Sequence, residues 1–196
     1  MSELKTILFY KPDQVLSTFS DTEGRETLKT YIPLEDIYSA GRLDFDSEGL
    51  LVITGDCDLI NHLTDPKHHQ IKTYLAMLEG MCDENRLKTL EKGIQLKEYR
   101  TLPCKVMPVE APEIPDRRKP VTPHGPVFWA HIQIGEGKKH QIRHMTAAIG
   151  YPCLRLIRAA IGPIGIGELH PGEWRELTQK EIALLKDSKR TALYNS

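Results

Sequence analysis

The sequence predicts an α+β fold, because short apolar runs of strand length alternate with stretches of helical periodicity. Strand-like runs occupy residues 6–10, 50–54 and 127–134, among others. Helical spacing of apolar residues appears at residues 57–63 and 83–92. A chain of 196 residues suits one large domain or two small lobes that share a sheet.

The boundaries of several elements have their own signals. Asp83 is placed to cap a helix over residues 83–92, and Gly93 stands where a left-handed C-cap is wanted. Thr178 and Glu181 have the spacing of a capping box, so a closing helix should run through Leu185. Five prolines between residues 111 and 126 indicate a surface loop. Further strands are predicted at 72–80, 105–109 and 154–158, and a further helix at 138–149.

The charge distribution is more informative than the total. The net charge of -1 gives no overall attraction to nucleic acid. Residues 138–167, however, contain no aspartate or glutamate. A stretch whose charged side chains are all basic is compatible with a surface that follows a phosphate backbone, although a solvated basic surface would give the same pattern. Its lysines and arginines are Lys138, Lys139, Arg143, Arg155 and Arg158.

Cysteine usage and hydropathy exclude several classes of protein. The four cysteines lie far apart without a C-x-x-C pair, which fits neither a zinc ribbon nor a dense disulfide scaffold. No apolar stretch approaches the roughly 18 residues that span a bilayer, and no apolar signal region opens the chain. We therefore expect a soluble, cytoplasmic protein with reduced thiols and no membrane partner.

The strongest candidate for chemistry is a polar loop that leads directly into a core strand. Residues 42–48 contain four charged side chains, and residues 49–54 are almost wholly apolar. Such a loop presents a reactive group on a rigid base, and Asp44 is the candidate. Asp44 could instead cap a turn or pair with Arg42. Asp46 and Glu48 raise the alternative of a glycosidase-like acid/base pair, but their local spacing does not establish the separation that this mechanism needs.

Four ordered segments together resemble one known family. They are Arg42-Leu43-Asp44 with Gly49-Leu50-Leu51, Lys72-x-Tyr74, residues 136–145 (EGKKHQIRHM), and residues 154–163 (LRLIRAAIGP). Lys11-Pro12, followed by Ser17-Thr18, also matches, although Gln14 stands where the family usually has glycine. In this order the segments resemble the RNA pseudouridine synthases of the RsuA/RluB/RluE/RluF group, over residues 7–185.

The resemblance implies the architecture and the reaction. The expected fold is a mainly antiparallel mixed sheet in two lobes with a central catalytic cleft, all within one catalytic domain over residues 1–196. Uridine's N1–C1′ bond breaks and a C5–C1′ bond forms. Because no redox change and no outside group are needed, neither cofactor nor metal is expected. Three routes have been debated for the family's aspartate: attack at C1′, attack at C6 and a glycal pathway. The sequence does not decide among them.

The resemblance also assigns site residues. Asp44 is the expected catalytic aspartate, Arg143 its cationic partner and Tyr74 the residue that stacks on the uracil. Leu156 is expected to pack beneath the site. The residues expected to contact RNA are Arg42, Lys72, Lys138, Lys139, His140, Arg155 and Arg158. His140 and His144 have a zinc-like i, i+4 spacing, but no third ligand is evident.

The likeness within the group suggests a substrate. Many members carry an N-terminal S4 RNA-binding domain, whereas here the Lys-Pro motif begins at once. This arrangement is most similar to the RluE type, so the expected partner is 23S ribosomal RNA of the large subunit, bound by a monomer. The alternatives are the same chemistry on 16S rRNA or tRNA, and a catalytically silent RNA-binding or assembly factor.

Overall fold

The computed structural model describes residues 5–187 and contains both predicted kinds of element. The strands are β1 (Thr6–Lys11), β2 (Tyr38–Ser39), β3 (Glu48–Thr54), β4 (Lys72–Glu79), β5 (Lys105–Val109), β6 (Val127–Ile134), β7 (Cys153–Ile161), β8 (Ile164–Gly165) and β9 (Trp174–Glu176). The α-helices are α1 (Cys57–Thr64), α2 (Glu84–Lys88), α3 (Gln141–Ala148) and α4 (Gln179–Lys186). Short 3-10 helices lie at Leu28–Thr30, Pro66–His68 and Thr89–Lys92.

The strands form one mixed sheet that consists of two antiparallel halves. Its order is β5-β6-β4-β7-β3-β1-β9, with β2 paired to β3 and β8 paired to β7. Every pairing is antiparallel except that of β3 with β7, which is parallel and has only two residue pairs. These pairs are Glu48 with Ile157 and Gly49 with Arg158. The predicted α+β fold, mainly antiparallel and divided into two lobes, is therefore confirmed.

Apolar side chains cover both faces of the sheet at the lobe that contains β1 and β3. All six residues of β1 and all seven of β3 are buried. Ile7 and Phe9 face a core shared with Tyr74 and Met145 of the other lobe. Leu8 lies on the opposite face, in the cluster that includes residues of α1 and α4. Continuous burial on both faces explains why these strands read as uninterrupted apolar runs.

The helix ends largely follow their sequence signals. The Asp83 side chain accepts hydrogen bonds from the amides of Asn85 and Arg86 at the start of α2. The capping box of Thr178 and Glu181 is formed at α4. Two ends differ from the prediction. The α-helix α2 ends at Lys88 and passes into a 3-10 helix, and Gly93 after it has φ of +70° but ψ of 143°, which is not the left-handed helical conformation. Helix α3 begins at Gln141 and not at Lys138, because His140 has a left-handed backbone with φ of +52°. Lys138 and Lys139 therefore lie in the turn before the helix.

Among residues 5–187, the outer strand β5 pairs with β6 and with no other strand. Pro108 stands opposite Ala130 within this pairing. Lys105 and Met107 are exposed. The proline-rich segment of residues 110–126 follows β5 without helix or strand, as the sequence predicts.

The helices are all short. The longest in the described part of the chain have eight residues. Within residues 5–187 there is no helix of sufficient length and apolarity to cross a membrane.

The parallel contact between β3 and β7 depends on a glycine. Gly49 has φ of +103°, and a Cβ atom built there would lie 2.3 Å from the carbonyl oxygen of Arg158 and 2.6 Å from its nitrogen. No side chain fits at these distances from rigid backbone. The two lobes can therefore join at this point only through Gly49.

We expect Gly49→Ala to lower the free energy of unfolding by about 3 kcal/mol or more, since strain and overlap with backbone add together. The matched control is Gly24→Ala. Gly24 also has a positive φ of +75°, but a Cβ atom there meets nothing within 4 Å. Its replacement should cost only about 1–2 kcal/mol, the price of a left-handed backbone. Urea unfolding of both variants measures the difference, and equal losses would contradict the role of close approach.

Candidate active site

A cleft opens where the two lobes meet, with a volume of about 470 Å³. The loop before β3 forms one wall, and the turn between β6 and α3 forms another. The floor includes residues of β4 and β7. Eight of the predicted site residues line it: Arg42, Asp44, Lys72, Tyr74, Lys138, Lys139, His140 and Arg158, together with the supporting Leu156. All four of the ordered sequence segments thus meet in a single concavity.

The loop that carries Asp44, residues 42–47, is fixed by hydrogen bonds on both sides of that residue. The Ser17 hydroxyl donates to the Leu43 carbonyl at 2.8 Å and accepts from the Leu43 amide at 3.0 Å. The Gln14 amide donates to the Phe45 carbonyl at 2.8 Å, and the Ser47 amide donates to the Asp44 carbonyl at 3.1 Å. This loop, here called the Asp44 loop, is irregular in form but well restrained.

The ion pairs of the Asp44 loop differ from those expected. An oxygen of Asp44 lies 3.2 Å from Nε2 of His140. Arg143 instead pairs with Asp46, with Nη2 and Oδ2 2.9 Å apart. The predicted pairing of Arg143 with Asp44 is therefore wrong in this structure. The reason is geometric: Arg143 also donates to the Cys153 carbonyl at 2.8 Å, which turns its guanidinium toward β7 and Asp46.

The floor of the cleft combines an aromatic ring with two cations. Tyr74 of β4 is only 7% exposed and belongs to the apolar core as well as to the cleft lining. Lys72 lies on the same side of β4 and donates to the Gln70 carbonyl at 3.1 Å. Burial, with the charge of Arg158, lowers the pKa of Lys72 to about 8. Arg158 donates through Nε to the Leu50 carbonyl at 2.6 Å, so it joins the two lobes as well.

The predicted RNA contacts fall into three groups, of which the first is Lys72 and Arg158 on the floor of the cleft. Arg42, Lys138, Lys139 and His140 are exposed at the rim of the cleft. Arg155 is not: it is 7% exposed and binds Glu48 through two hydrogen bonds of 2.9 and 2.7 Å. The prediction that Arg155 contacts RNA is therefore wrong, because β7 is buried at this position and the guanidinium is used inside the protein.

His140 and His144, the two histidines with zinc-like spacing, have ring centres 6.0 Å apart, and His140 is directed to Asp44. Among residues 5–187 no group of three or more histidine, cysteine, aspartate or glutamate side chains is placed to hold a metal ion.

Comparison with known proteins decides the family. A family model described as RNA pseudouridylate synthase matches residues 5–148. The chain belongs to this family. It is an RNA pseudouridine synthase, as the ordered motifs and the fold had indicated.

Individual relatives agree with this assignment. The chain is 48% identical over 175 residues to ribosomal large subunit pseudouridine synthase E of Vibrio parahaemolyticus, covering 88% of this chain and 74% of that protein. It is 44% identical over 174 residues to the protein of the same name from Xanthomonas campestris, covering 86% and 93%. A crystal structure of a pseudouridylate synthase superposes with a TM-score of 0.78 at 31% identity, covering 94% of this chain and 75% of that one.

The synthase departs from its family at Gln14 without losing the turn. Gln14 has a left-handed backbone with φ of +61°, the region that favours glycine. Its amide still donates to the Phe45 carbonyl. The usual glycine is thus explained by backbone conformation, and the substitution leaves the support of the Asp44 loop in place.

Sequence reasoning missed the buried charges behind the synthase's Asp44 loop. Lys11, Asp13 and Glu48 are each 1% exposed or less. Lys11 donates to the carbonyls of Pro12 and Val15 at 2.7 and 2.8 Å. Burial lowers the pKa of Lys11 to about 7, against the opposing effect of nearby carboxylates that include Asp44 and Asp46. The available signal was a set of charged residues inside or beside strand-like runs.

We expect Ser17→Ala to lower the free energy of unfolding by about 1–3 kcal/mol, since it leaves the buried Leu43 amide and carbonyl without their partner. Thr18→Ala is the control. The Thr18 hydroxyl donates only to the exposed Ser20 carbonyl, at 2.9 Å. Its loss should change the free energy by about 0.5 kcal/mol or less. Urea unfolding compares the two, and a Ser17 variant as stable as the Thr18 variant would contradict this support of the loop.

Proposed function

We propose that this synthase isomerises a uridine of 23S ribosomal RNA, in the large subunit, with Asp44 as the nucleophile. The observation that carries the proposal is the placement of the Asp44 carboxylate in the cleft between the lobes. Its side chain is 26% exposed, so it is reachable from the cleft while its loop is held from behind. No other carboxylate among the lining residues combines this access with the Arg-Leu-Asp motif.

The chemistry of the reaction fits a carboxylate. The N1–C1′ bond of uridine breaks, the uracil turns over, C5 bonds to C1′ and loses its hydrogen as a proton, and N1 gains a proton. A covalent adduct with Asp44 would divide one difficult step into two easier ones. Asp44 has to be ionised for this role. Nε2 of His140, 3.2 Å away, is placed to donate a hydrogen bond to this carboxylate.

The remaining residues support binding and orientation. Tyr74 on the floor offers a ring on which a flipped uracil can stack, and Leu156 of β7 lines the cleft near it. Arg143 acts indirectly, because it holds the side chain of Asp46, two residues after Asp44 in the loop. Lys72 and Arg158 add positive charge to the floor, and Arg42, Lys138 and Lys139 extend it along the rim.

The substrate class is supported by charge and by the relatives. Five lysines and arginines line the cleft, against the three carboxylates Asp44, Asp65 and Glu136. Of these acids, Glu136 is already engaged by the Leu102 amide and the Gln141 side chain. The excess of positive charge suits a phosphate backbone. Two relatives of 44–48% identity are named large subunit pseudouridine synthases, which favours 23S over 16S rRNA or tRNA.

The proposal predicts that purified protein forms pseudouridine in unmodified 23S rRNA and that Asp44→Asn forms none. Asp44→Asn should remain folded and still bind RNA, because the exchange removes a charge but little volume. Asp58→Asn is the control, an exposed carboxylate on α1 outside the cleft. Pseudouridine-specific chemical mapping of 23S, 16S and tRNA treated in parallel measures the outcome.

Three results would count against parts of this assignment. Modification of 16S rRNA or tRNA alone would replace the substrate. Turnover by Asp44→Asn close to that of the wild type would remove Asp44 from the nucleophile role. Binding of RNA without any modified uridine would favour an assembly factor.

We also expect RNA affinity to fall as the pH rises through about 8. In the free protein the pKa of Lys72 is lowered to about 8. Bound phosphates favour the charged amine and so raise its pKa toward the ordinary value near 10.5. Formation of the complex therefore takes up a proton at pH values between about 8 and that value. The association constant should drop by up to about tenfold between pH 7 and 9.

Calorimetry in two buffers of different ionisation enthalpy measures this proton uptake directly. Lys72→Met should abolish it, whereas Lys88→Met, at an exposed position on α2, should not. Equal proton uptake by the wild type and Lys72→Met would contradict the assignment to Lys72.

A further inference from the structure

One short stretch of the proline-rich segment of residues 110–126 is fastened to the protein behind the Asp44 loop. The Pro115 carbonyl accepts a hydrogen bond from Arg155 at 2.8 Å. The amides of Arg118 and Lys119 donate to the two oxygens of Asp13 at 2.9 and 3.0 Å. This stretch, residues 115–119, is called the strap. It lies against the loop after β1 and the loop before β3.

Arg117 projects from the strap into the protein, where its side chain is only 7% exposed. Its guanidinium contacts three separate parts of the chain. Nε and Nη2 donate to Oδ2 of Asp13, each at 3.3 Å. Nη2 also donates to the Asp46 carbonyl at 3.2 Å, and Nη1 donates to the Leu154 carbonyl at 3.4 Å. One side chain therefore joins the loop after β1, the Asp44 loop and β7.

The charges around Arg117 are balanced within the protein interior. Glu48 lies 3.7 Å from Nε of Arg117 and is bound at closer range by Arg155. Burial pushes the pKa of Asp13 upward, but the Lys119 and Arg118 amides and the charge of Arg117 outweigh it and hold the pKa below its usual value. Two carboxylates thus face two guanidinium groups. An arginine suits this place because its planar fork can donate in several fixed directions at once, which an ammonium group cannot do.

Asp46 is held by arginines from both of its ends. Arg117 binds its main-chain carbonyl, and Arg143 binds its carboxylate. The half of the loop before Asp44 is supported by Ser17 at Leu43. In the half after Asp44, the Phe45 carbonyl accepts from the Gln14 amide and, at 3.5 Å, from Nζ of Lys11, and the Asp46 carbonyl accepts from Arg117. The direction of the Asp44 carboxylate depends on both halves, because Ser47 closes the turn onto the Asp44 carbonyl.

We propose that Arg117 is a positioning residue for the isomerisation, which fixes the Asp44 loop through the Asp46 carbonyl without touching the RNA. Arg117 does not line the cleft, so its effect on the reaction passes through the loop. The inference rests on the proposed role of Asp44. It assigns a catalytic purpose to a proline-rich segment that no motif of the sequence marked.

The test compares Arg117→Lys with Arg118→Lys. Lysine at 117 keeps a positive charge beside Asp13 and Glu48, so the protein should stay folded, but one nitrogen cannot serve all three acceptor groups. Arg118 is the matched control from the same strap, since its side chain binds Glu26 and Tyr31, away from the Asp44 loop. Three measurements are made on each folded variant: hydrogen exchange of the Leu43 and Ser47 amides, the dissociation constant for a 23S rRNA transcript, and single-turnover modification of that transcript at saturating protein.

In Arg117→Lys we expect faster exchange of both amides and a single-turnover rate lower by roughly 10–100-fold, with the dissociation constant for RNA unchanged. Arg118→Lys should match the wild type in all three quantities. A structural role alone would lower activity only in proportion to the unfolded fraction, which circular dichroism measures.

Amide exchange in Arg117→Lys equal to that in Arg118→Lys would overturn the proposal. Weaker RNA binding with an unchanged rate at saturation would also overturn it and make Arg117 an RNA contact. Failure of the wild type to modify the transcript would count against the substrate, and the exchange measurement, which uses no RNA, would still decide the role of Arg117.

Discussion

The contact between β3 and β7 is the constraint on which the rest of the structure depends. Two antiparallel half-sheets meet there through only two residue pairs, and the backbones approach closely because position 49 has no side chain. The elements that form the cleft are positioned relative to one another by this junction. The Asp44 loop enters β3 immediately before it, and Tyr74 lies on β4, the neighbour of β7 on the other side.

Buried charges strengthen the junction where the ladder is short. Glu48, the first residue of β3, is bound by Arg155 of β7, and Arg158 of β7 donates to the Leu50 carbonyl of β3. Removing one partner of such a pair would leave an uncompensated charge in the interior, which is strongly destabilising. The pairs therefore tie the lobes in one register. A rigid join of this kind suits a cleft that has to hold a detached base between bond breaking and bond formation.

Much of this arrangement could be predicted from the sequence, for reasons that individual residues make clear. The Asp44 loop and β3 are a local signal, since a charged run meets an apolar one. Lys72 and Tyr74 share a face because strand periodicity places alternate residues together. The partner of Arg143 could not be predicted, because Asp44 and Asp46 differ by only two residues and the choice depends on the hydrogen bond of Arg143 to the distant Cys153 carbonyl. Arg155 was misjudged since a basic residue in a buried strand looks like one on a surface. Arg117 pairs with an aspartate 104 residues away, a distance over which local patterns carry no information.

The outermost strand of the sheet has a consequence for the behaviour of the protein in a crowded solution. Within the described part of the chain β5 has one unpaired side, and exposed strand edges allow other chains to add to the sheet. Pro108 in its middle has no amide hydrogen to offer, and a proline in a paired strand is accommodated with its nitrogen turned outward. A foreign strand that docked there would meet a gap in the row of donors. The edge beside the proline-rich segment is thus a poor template for aggregation, even though Met107 is 54% exposed on it.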